Sequence, residues 1–172
     1  MENRIGRVYW LTGLSGAGKT TIGRLWYEKL RECGEHVVFL DGDELRQVFG
    51  GSLGYAPEDR RKAAMNYARL CALLSKQGSS VVCCTISMFD SVRKWNREHI
   101  PGYIEIYIQA SMETLRQRDQ KGLYSAGRQN VAGVDFQVEL PKTPDLILDN
   151  DGQKTPEEQI QFLYSSIKKL RS

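Results

Sequence analysis

The fold of this chain is decided by eight consecutive residues, Gly13-Leu14-Ser15-Gly16-Ala17-Gly18-Lys19-Thr20. They fit the pattern G-x-x-x-x-G-K-[ST], in which glycines allow backbone N–H groups to turn towards phosphate oxygens. The hydrophobic run Val8 to Leu11 precedes them, and apolar residues at helical spacing follow from Thr20 to Leu30. Strand, loop and helix in this order predict a binding site for a nucleoside triphosphate, ATP or GTP.

The residue types of this phosphate loop imply separate tasks. The amino end of the following helix adds partial positive charge, Lys19 reaches the β- and γ-phosphates, and the Thr20 hydroxyl can bind Mg²⁺. We therefore predict ATP and Mg²⁺ as cofactors, with Lys19 in the catalytic set and Thr20 as the metal ligand. The predicted ATP-binding residues of the loop are Gly13, Ser15, Gly16, Ala17, Gly18, Lys19, Thr20 and Thr21.

The remaining sequence alternates apolar runs with helical patterns, which is typical of β-α units that build a parallel sheet. The predicted strands are Val37 to Leu40, Val81 to Ile86, Ile104 to Ile108 and Leu146 to Leu148. The predicted helices are Asp59 to Gln77, Asp90 to Ile100, Met112 to Arg118, and one that Thr155, Pro156 and Glu158 open with a capping box. We expect one α/β domain over residues 1–172, a three-layer fold of the P-loop nucleoside triphosphate hydrolase type with a mostly parallel central sheet.

Composition excludes several classes of protein. The 172 residues are 41% hydrophobic and carry a net charge of +3, which favours small anionic ligands over nucleic acid. The longest apolar stretch, Val81 to Ile86, is far too short to cross a bilayer. We expect no membrane association, a cytoplasmic location, and reduced structural thiols at the four cysteines.

The rest of the chain favours a small-molecule kinase over a GTPase or motor ATPase, because it lacks an N-K-x-D motif for guanine and the length for extra layers. Such a kinase needs an acid near the acceptor hydroxyl, positive charge for an anionic acceptor, and a lid that excludes water. Asp41 and Asp43 directly follow a predicted strand and supply the acid. Arg46 and Arg60 supply the charge, and the glycine-containing stretch from Lys121 to Gly133 supplies a mobile lid.

Each candidate also has a purely structural interpretation. Asp43 can cap a helix that begins at Glu44, and Arg60 can lie on a solvated helix face. Lys121 can be an ordinary surface charge. Tyr55 is either a loop aromatic or a stacking platform for a base, and its spacing does not choose between them.

Taken together, these residues resemble adenylylsulfate kinases over nearly the whole chain. The phosphate loop is generic, but the stretches D-G-D-x-x-R and K-G-L-Y are specific to that family. In sequence order, the matching segments are 13–21, Leu40-Asp41-Gly42-Asp43 with Arg46, Leu53-Gly54-Tyr55, Glu58-Asp59-Arg60, Ile86-Ser87, Arg118-Asp119 and Lys121-Gly122-Leu123-Tyr124.

The resemblance implies transfer of the ATP γ-phosphoryl group to the ribose 3′-hydroxyl of adenylyl sulfate, with Mg²⁺, a mobile lid and a homodimer. It implies that Asp43 or Asp41 lies near the acceptor hydroxyl and that Arg118 belongs to the ATP site. The remaining substrate-binding residues that it implies are Arg46 and Arg60 at the acceptor's phosphate end, Tyr55 at the base, Ile86 and Ser87 at a strand end, and Lys121 and Leu123 at the lid hinge.

Departures from the family pattern concentrate on the acceptor. Polar residues usual in the family are replaced by Ala63 and Met65, and the aromatic that stacks on the acceptor's adenine is replaced by Val131. Loss of such a stacking partner is worth about 1 to 3 kcal/mol. Two acceptors therefore stay open: adenylyl sulfate in sulfate assimilation, or the cytidine nucleotide of the similar cytidine diphosphoramidate kinases of capsule biosynthesis. A non-catalytic ATP-binding module is the alternative from another class.

Overall fold

The protein is described here by a computed structural model that covers residues 5–50, 54–119, 122, 132–133 and 137–170. These residues form five strands and six helices. The strands are β1 (Val8–Thr12), β2 (Val37–Asp41), β3 (Ser80–Thr85), β4 (Tyr103–Gln109) and β5 (Leu146–Asp149). The helices are α1 (Lys19–Glu32), α2 (Gly42–Val48), α3 (Pro57–Lys76), α4 (Asp90–His99), α5 (Met112–Arg118) and α6 (Pro156–Leu170).

The strands form one sheet in the order β2-β3-β1-β4-β5, and every described pairing is parallel. Strands β1 and β3 are buried along their whole length, which explains their continuous apolar sequences. Because parallel strands end at the same edge, the loops that follow β1, β2 and β3 meet at one edge of the sheet. The predicted α/β fold with a parallel sheet is confirmed.

Helices cover both faces of the sheet. One core contains Trp10, Tyr67 and Cys83 and packs under α3 and α4, while the other contains Tyr9, Trp26 and Cys84 and packs under α1 and α6. The adjacent residues Cys83 and Cys84 thus point to opposite faces of the sheet. All four cysteines are free.

Helix boundaries agree with the sequence prediction except at α2. The α6 capping box is confirmed, since the Thr155 N–H donates to Glu158 Oε2 at 2.7 Å and the Glu158 N–H donates to Thr155 Oγ1 at 3.2 Å. The alternative interpretation, in which Asp43 caps a helix beginning at Glu44, is wrong, because the N-cap is Asp41. Helix α2 begins at Gly42, so Asp43 lies in its first turn.

Among the described residues, no helix combines the length and the apolar character that a membrane span requires.

Candidate active site

A cleft opens at the carboxyl edge of the sheet, where the loops after β1, β2 and β3 converge. Its lining brings together most of the predicted site residues from four separate parts of the chain. The lining comprises Ser15, Gly16, Gly18, Lys19, Thr20, Thr21, Asp41, Gly42, Asp43, Arg46, Arg60, Ala63, Tyr67, Cys84, Thr85, Ile86, Ser87, Met88, Phe89, Ala132 and Val138.

The phosphate loop follows β1 and requires glycine for geometric reasons. Gly16 and Gly18 have φ angles of +81° and +99°, which residues with a side chain rarely adopt. The Lys19 ammonium donates to the Leu14 carbonyl at 2.7 Å, so it lies across the loop. The loop therefore presents a cation and a helix amino end to the same side of the cleft.

Three predicted ATP-binding residues do not line the cleft: Gly13 and Ala17 of the loop, and Arg118. A Cβ at Gly13 would lie 2.4 Å from the carbonyl oxygen of Ile108, so Gly13 is needed for close packing behind the loop. Ala17 is buried, and its N–H donates to the Leu14 carbonyl at 3.2 Å. The structure gives Gly13 and Ala17 a part in shaping the loop.

A polar clamp formed by Arg118 and Asn150 holds the loop from behind. The Asn150 amide donates to the Ala17 carbonyl at 2.8 Å, and the Arg118 guanidinium donates to the carbonyls of Asn150 at 2.7 Å and Gly16 at 3.4 Å. A Cβ at Gly18 would lie 2.4 Å from Asn150 Nδ2, so this contact also explains that glycine. Sequence analysis missed Asn150, and the only available signal was its place directly after β5.

Strand β2 ends at Asp41, whose carboxylate has two partners. Its Oδ2 accepts from the Thr20 hydroxyl at 2.7 Å, and its Oδ1 accepts from the Asp43 N–H at 2.9 Å, so Asp41 is the N-cap of α2. A hydroxyl and a carboxylate oxygen side by side form the hard oxygen donor set that Mg²⁺ prefers. These two side chains fit a magnesium ion beside the phosphate loop.

Asp43 has a different position from Asp41. Asp41 is 9% exposed, whereas Asp43 is exposed and lines the cleft from the first turn of α2. Its carboxylate is thus accessible to a molecule that enters beside the phosphate loop. Asp41 is thus bonded to Thr20 of the phosphate loop, whereas Asp43 faces the cleft.

Arg46 and Arg60 approach one another over the ring of Tyr55. Their guanidinium carbons lie 4.5 and 5.5 Å from the ring centroid, and their N–H groups donate to the carbonyls of Gly54 and Tyr55 at 2.9 Å each. Burial and the neighbouring charge of Arg46 lower the pKa of Arg60. An anion bound between the two would offset that repulsion.

Tyr55 itself is 59% exposed and is not among the residues that line the cleft. Its ring contacts the two guanidinium groups, an arrangement that the spacing of the sequence does not predict. A role at the acceptor's base stays a prediction.

Ile86 and Ser87 follow β3 and line the cleft, as expected for residues at a strand end. The Ile86 carbonyl accepts from Thr12 Oγ1 at 2.5 Å, and the hydroxyls of Thr85 and Ser87 lie 2.6 Å apart. Ser87 has a φ of +24°, a left-handed value that residues with a side chain seldom adopt. This strained backbone turns the chain from β3 towards α4 along the wall of the cleft.

One part of the cleft wall is largely apolar. It consists of Ala63 and Tyr67 on α3, Met88 and Phe89 before α4, and Val138. Tyr67, Phe89 and Val138 were not predicted as site residues from the sequence. Their positions in the cleft depend on tertiary packing rather than on a motif.

The segment that carries Val138 is fastened to the start of α4. Glu139 donates its N–H to the Met88 carbonyl at 3.3 Å and accepts from the Asp90 N–H at 2.5 Å. The buried Arg93 donates to the carbonyls of Glu139 at 2.6 Å and Leu140 at 3.4 Å. These bonds keep Val138 beside Met88 in the cleft wall.

Several sequence predictions fall outside the described residues. They are Lys121 and Leu123 at the predicted lid hinge, the replaced aromatic position Val131, and most of the predicted lid between Lys121 and Gly133. Ala132 is described, and it is buried in the lining of the cleft.

Comparisons with known proteins agree with this geometry. Residues 5–149 match the family model described as Adenylylsulphate kinase. The chain is 41% identical over 167 residues to "Cytidine diphosphoramidate kinase" of Campylobacter jejuni, covering 95% of each protein. It is 39% identical over 162 residues to "Adenylyl-sulfate kinase" of Halothermothrix orenii, covering 92% of this chain and 87% of the relative.

A solved structure is similar over the same extent. The Mycobacterium tuberculosis APS kinase in complex with AMPPNP and APS superposes with a TM-score of 0.87 at 29% identity, covering 96% of this chain and 99% of that one.

Proposed function

Because the chain belongs to the adenylylsulfate kinase family and is an ATP-dependent kinase, we propose that its cleft phosphorylates the ribose 3′-hydroxyl of a nucleotide. The observation that carries this proposal is the convergence of four groups in one cleft. They are the phosphate loop with Lys19, the bonded pair Thr20 and Asp41, the accessible carboxylate of Asp43, and the guanidinium pair of Arg46 and Arg60.

The phosphate loop binds the triphosphate of ATP. The Lys19 ammonium exchanges its contact with the Leu14 carbonyl for oxygens of the β- and γ-phosphates, where it offsets the charge of the transferring group. Thr20 and Asp41 would hold Mg²⁺, which would neutralise part of the charge of the triphosphate. Arg118 and Asn150 keep the loop in shape during the transfer.

The acceptor lies between Asp43 and the arginine pair. Its 3′-oxygen attacks the γ-phosphorus in line, the bond from that phosphorus to the bridging oxygen of ADP breaks, and the hydroxyl proton passes to the Asp43 carboxylate. Arg46 and Arg60 bind the anionic group at the 5′ end of the acceptor. The reaction yields ADP and a 3′-phosphorylated nucleotide.

We propose cytidine diphosphoramidate as the acceptor. The relative of that name is 41% identical over 95% of both chains, and Ala63 and the apolar wall offer few polar groups for reading a purine. Adenylyl sulfate is the second candidate, which the family match and the relatives at 34% to 39% identity favour.

The test is an assay of ADP release with Mg²⁺-ATP and each nucleotide offered separately, with the product identified by mass and its phosphate located by ³¹P NMR. We expect ADP release in step with a product that carries a 3′-phosphate. Absence of nucleotide-dependent ADP release with both acceptors would contradict the proposal and leave the non-catalytic ATP-binding module.

The remaining parts of the proposal are a homodimer, a cytoplasmic location, one folded domain over residues 1–172, and lid contacts from Lys121 and Leu123. Light scattering of the purified protein checks the homodimer, and limited proteolysis checks the single domain.

A further inference from the structure

One polar group in the apolar wall of the cleft has no place in the mechanism above. Helix α3 presents Arg60, Ala63 and Tyr67 to the cleft, at the spacing of three and four residues that puts side chains on one helix face. Arg60 binds the anionic end of the acceptor in the proposed function, and Ala63 contributes only a methyl group. The Tyr67 hydroxyl is therefore the neutral polar group that this face offers deeper in the cleft.

The ring of Tyr67 is held rigidly. The residue is 3% exposed, and its ring stacks on Phe49 with centroids 6.0 Å apart and an angle of 28° between planes. A fixed ring places the hydroxyl at a defined point, so little conformational entropy is lost when a ligand binds to it.

The hydroxyl of Tyr67 retains hydrogen-bonding capacity. The Tyr67 hydroxyl lies 3.5 Å from the Gly42 carbonyl, well beyond the 2.5 to 3.0 Å of a good O–H···O bond. Burial raises the pKa of Tyr67, so the group stays a neutral hydroxyl that can donate and accept. Because this hydrogen bond is long, a ligand atom at a shorter distance would stabilise the buried hydroxyl more than the Gly42 carbonyl does.

The location of this hydroxyl indicates what that partner is. Gly42 immediately precedes Asp43, so the Tyr67 hydroxyl lies beside the first turn of α2, on the acceptor side of the cleft. Ala63 stands one turn earlier on α3, and its short side chain leaves the approach from Arg60 to Tyr67 open.

We propose that Tyr67 is an acceptor-binding residue whose hydroxyl hydrogen-bonds to the nucleotide next to the hydroxyl group that Asp43 deprotonates. This assignment rests on the proposed function, because it requires a nucleotide acceptor in this half of the cleft. The Tyr67 hydroxyl thereby offers the acceptor a polar contact on the helix face where Ala63 replaces a polar residue usual in the family.

The test is Tyr67→Phe, which deletes only the hydroxyl and keeps the ring that stacks on Phe49. With the acceptor that wild-type protein phosphorylates, we expect the KM for the acceptor to rise about tenfold, in line with one lost hydrogen bond. The KM for ATP should stay within about twofold, because the phosphate loop is untouched.

The matched control is Tyr103→Phe, a buried tyrosine at the first residue of β4, at the opposite end of the sheet. It should leave both KM values unchanged. A Tyr67→Phe protein with altered thermal stability but an unchanged KM for the acceptor would show a purely structural hydroxyl and overturn the assignment. Wild-type protein that phosphorylates neither nucleotide would instead contradict the proposed function, and the role of Tyr67 with it.

Discussion

The two halves of the cleft are built in different ways. In our proposal, one half of the cleft binds the phosphates of ATP and the other binds the acceptor. The phosphate half is one continuous segment, fixed by backbone geometry at Gly16 and Gly18 and clamped by Arg118 and Asn150. The acceptor half is assembled from α2, α3, the start of α4 and residues near Val138. Phosphate is a constant ligand and can be bound by a short motif, whereas an acceptor is recognised by side chains that tertiary packing brings together.

The largest effect is expected from Lys19→Ala in the phosphate half. Without the ammonium, the charge that builds on the transferring group is not offset, so kcat should fall by about 10³-fold. Initial rates of ADP release at saturating substrates measure this loss. Lys29→Ala on the exposed part of α1 is the control and should retain the wild-type rate. If the kcat of the Lys19→Ala protein lies within tenfold of the wild-type value, Lys19 is not a catalytic residue.

The next effect is expected from Asp43→Asn, where the two halves meet. The amide cannot accept the hydroxyl proton, so kcat should fall by about 10²-fold, while the KM for ATP stays nearly constant. Glu44→Gln, a neighbouring exposed carboxylate paired with Arg24, serves as the control. Normal turnover in Asp43→Asn would show that Asp43 does not take the proton, and would leave Asp41 as the candidate proton acceptor.

The contrast between the halves also explains what the sequence predicts. Strands and helices were predictable because buried parallel strands are continuously apolar and α3 repeats its small apolar residues at helical spacing. The phosphate loop and Asp41 were predictable because a motif and a strand end locate them. The sequence did not predict that Asp41, rather than Asp43, caps α2, because residues 41–43 fit a helix start at either aspartate.

Residues of the acceptor half were predictable only in part. Arg46 and Arg60 were predicted as positive charge for an anionic acceptor, the resemblance implied the same role, and both residues line the cleft. Tyr67 and Val138 carry no local signal, because a tyrosine in an apolar stripe and a valine in a loop are ordinary core residues in sequence. Asn150 was missed for the same reason, since it meets the loop only through the pairing of β4 with β5.

A moderate effect, confined to ATP, is expected from Asn150→Ala. Loss of the bond to the Ala17 carbonyl loosens the phosphate loop, so the KM for ATP should rise about fivefold while the KM for the acceptor stays unchanged. Steady-state kinetics with each substrate varied in turn separate the two values. A suitable control is Gln161→Ala, at an exposed position of α6. Equal rises in both KM values would contradict a clamp that acts on one half alone.

The smallest effect is expected from Glu139→Ala in the acceptor half. This exposed residue ties the Val138 segment to Asp90, so its loss should raise the KM for the acceptor about threefold without changing the KM for ATP. The control is Glu98→Ala, at an exposed glutamate of helix α4, the helix that begins at Asp90. An unchanged KM for the acceptor would mean that Arg93 and the backbone bond from residue 139 to the Met88 carbonyl suffice to position this wall.

The most direct test of the proposed function is a competition between the two candidate acceptors. Wild-type protein receives Mg²⁺-ATP with equal concentrations of cytidine diphosphoramidate and adenylyl sulfate, and mass spectrometry gives the ratio of the two phosphorylated products, which equals the ratio of their kcat/KM values. We expect phosphorylated cytidine diphosphoramidate in at least about tenfold excess, a difference of roughly 1.4 kcal/mol. An excess of phosphorylated adenylyl sulfate, or no nucleotide product, would contradict the proposed acceptor.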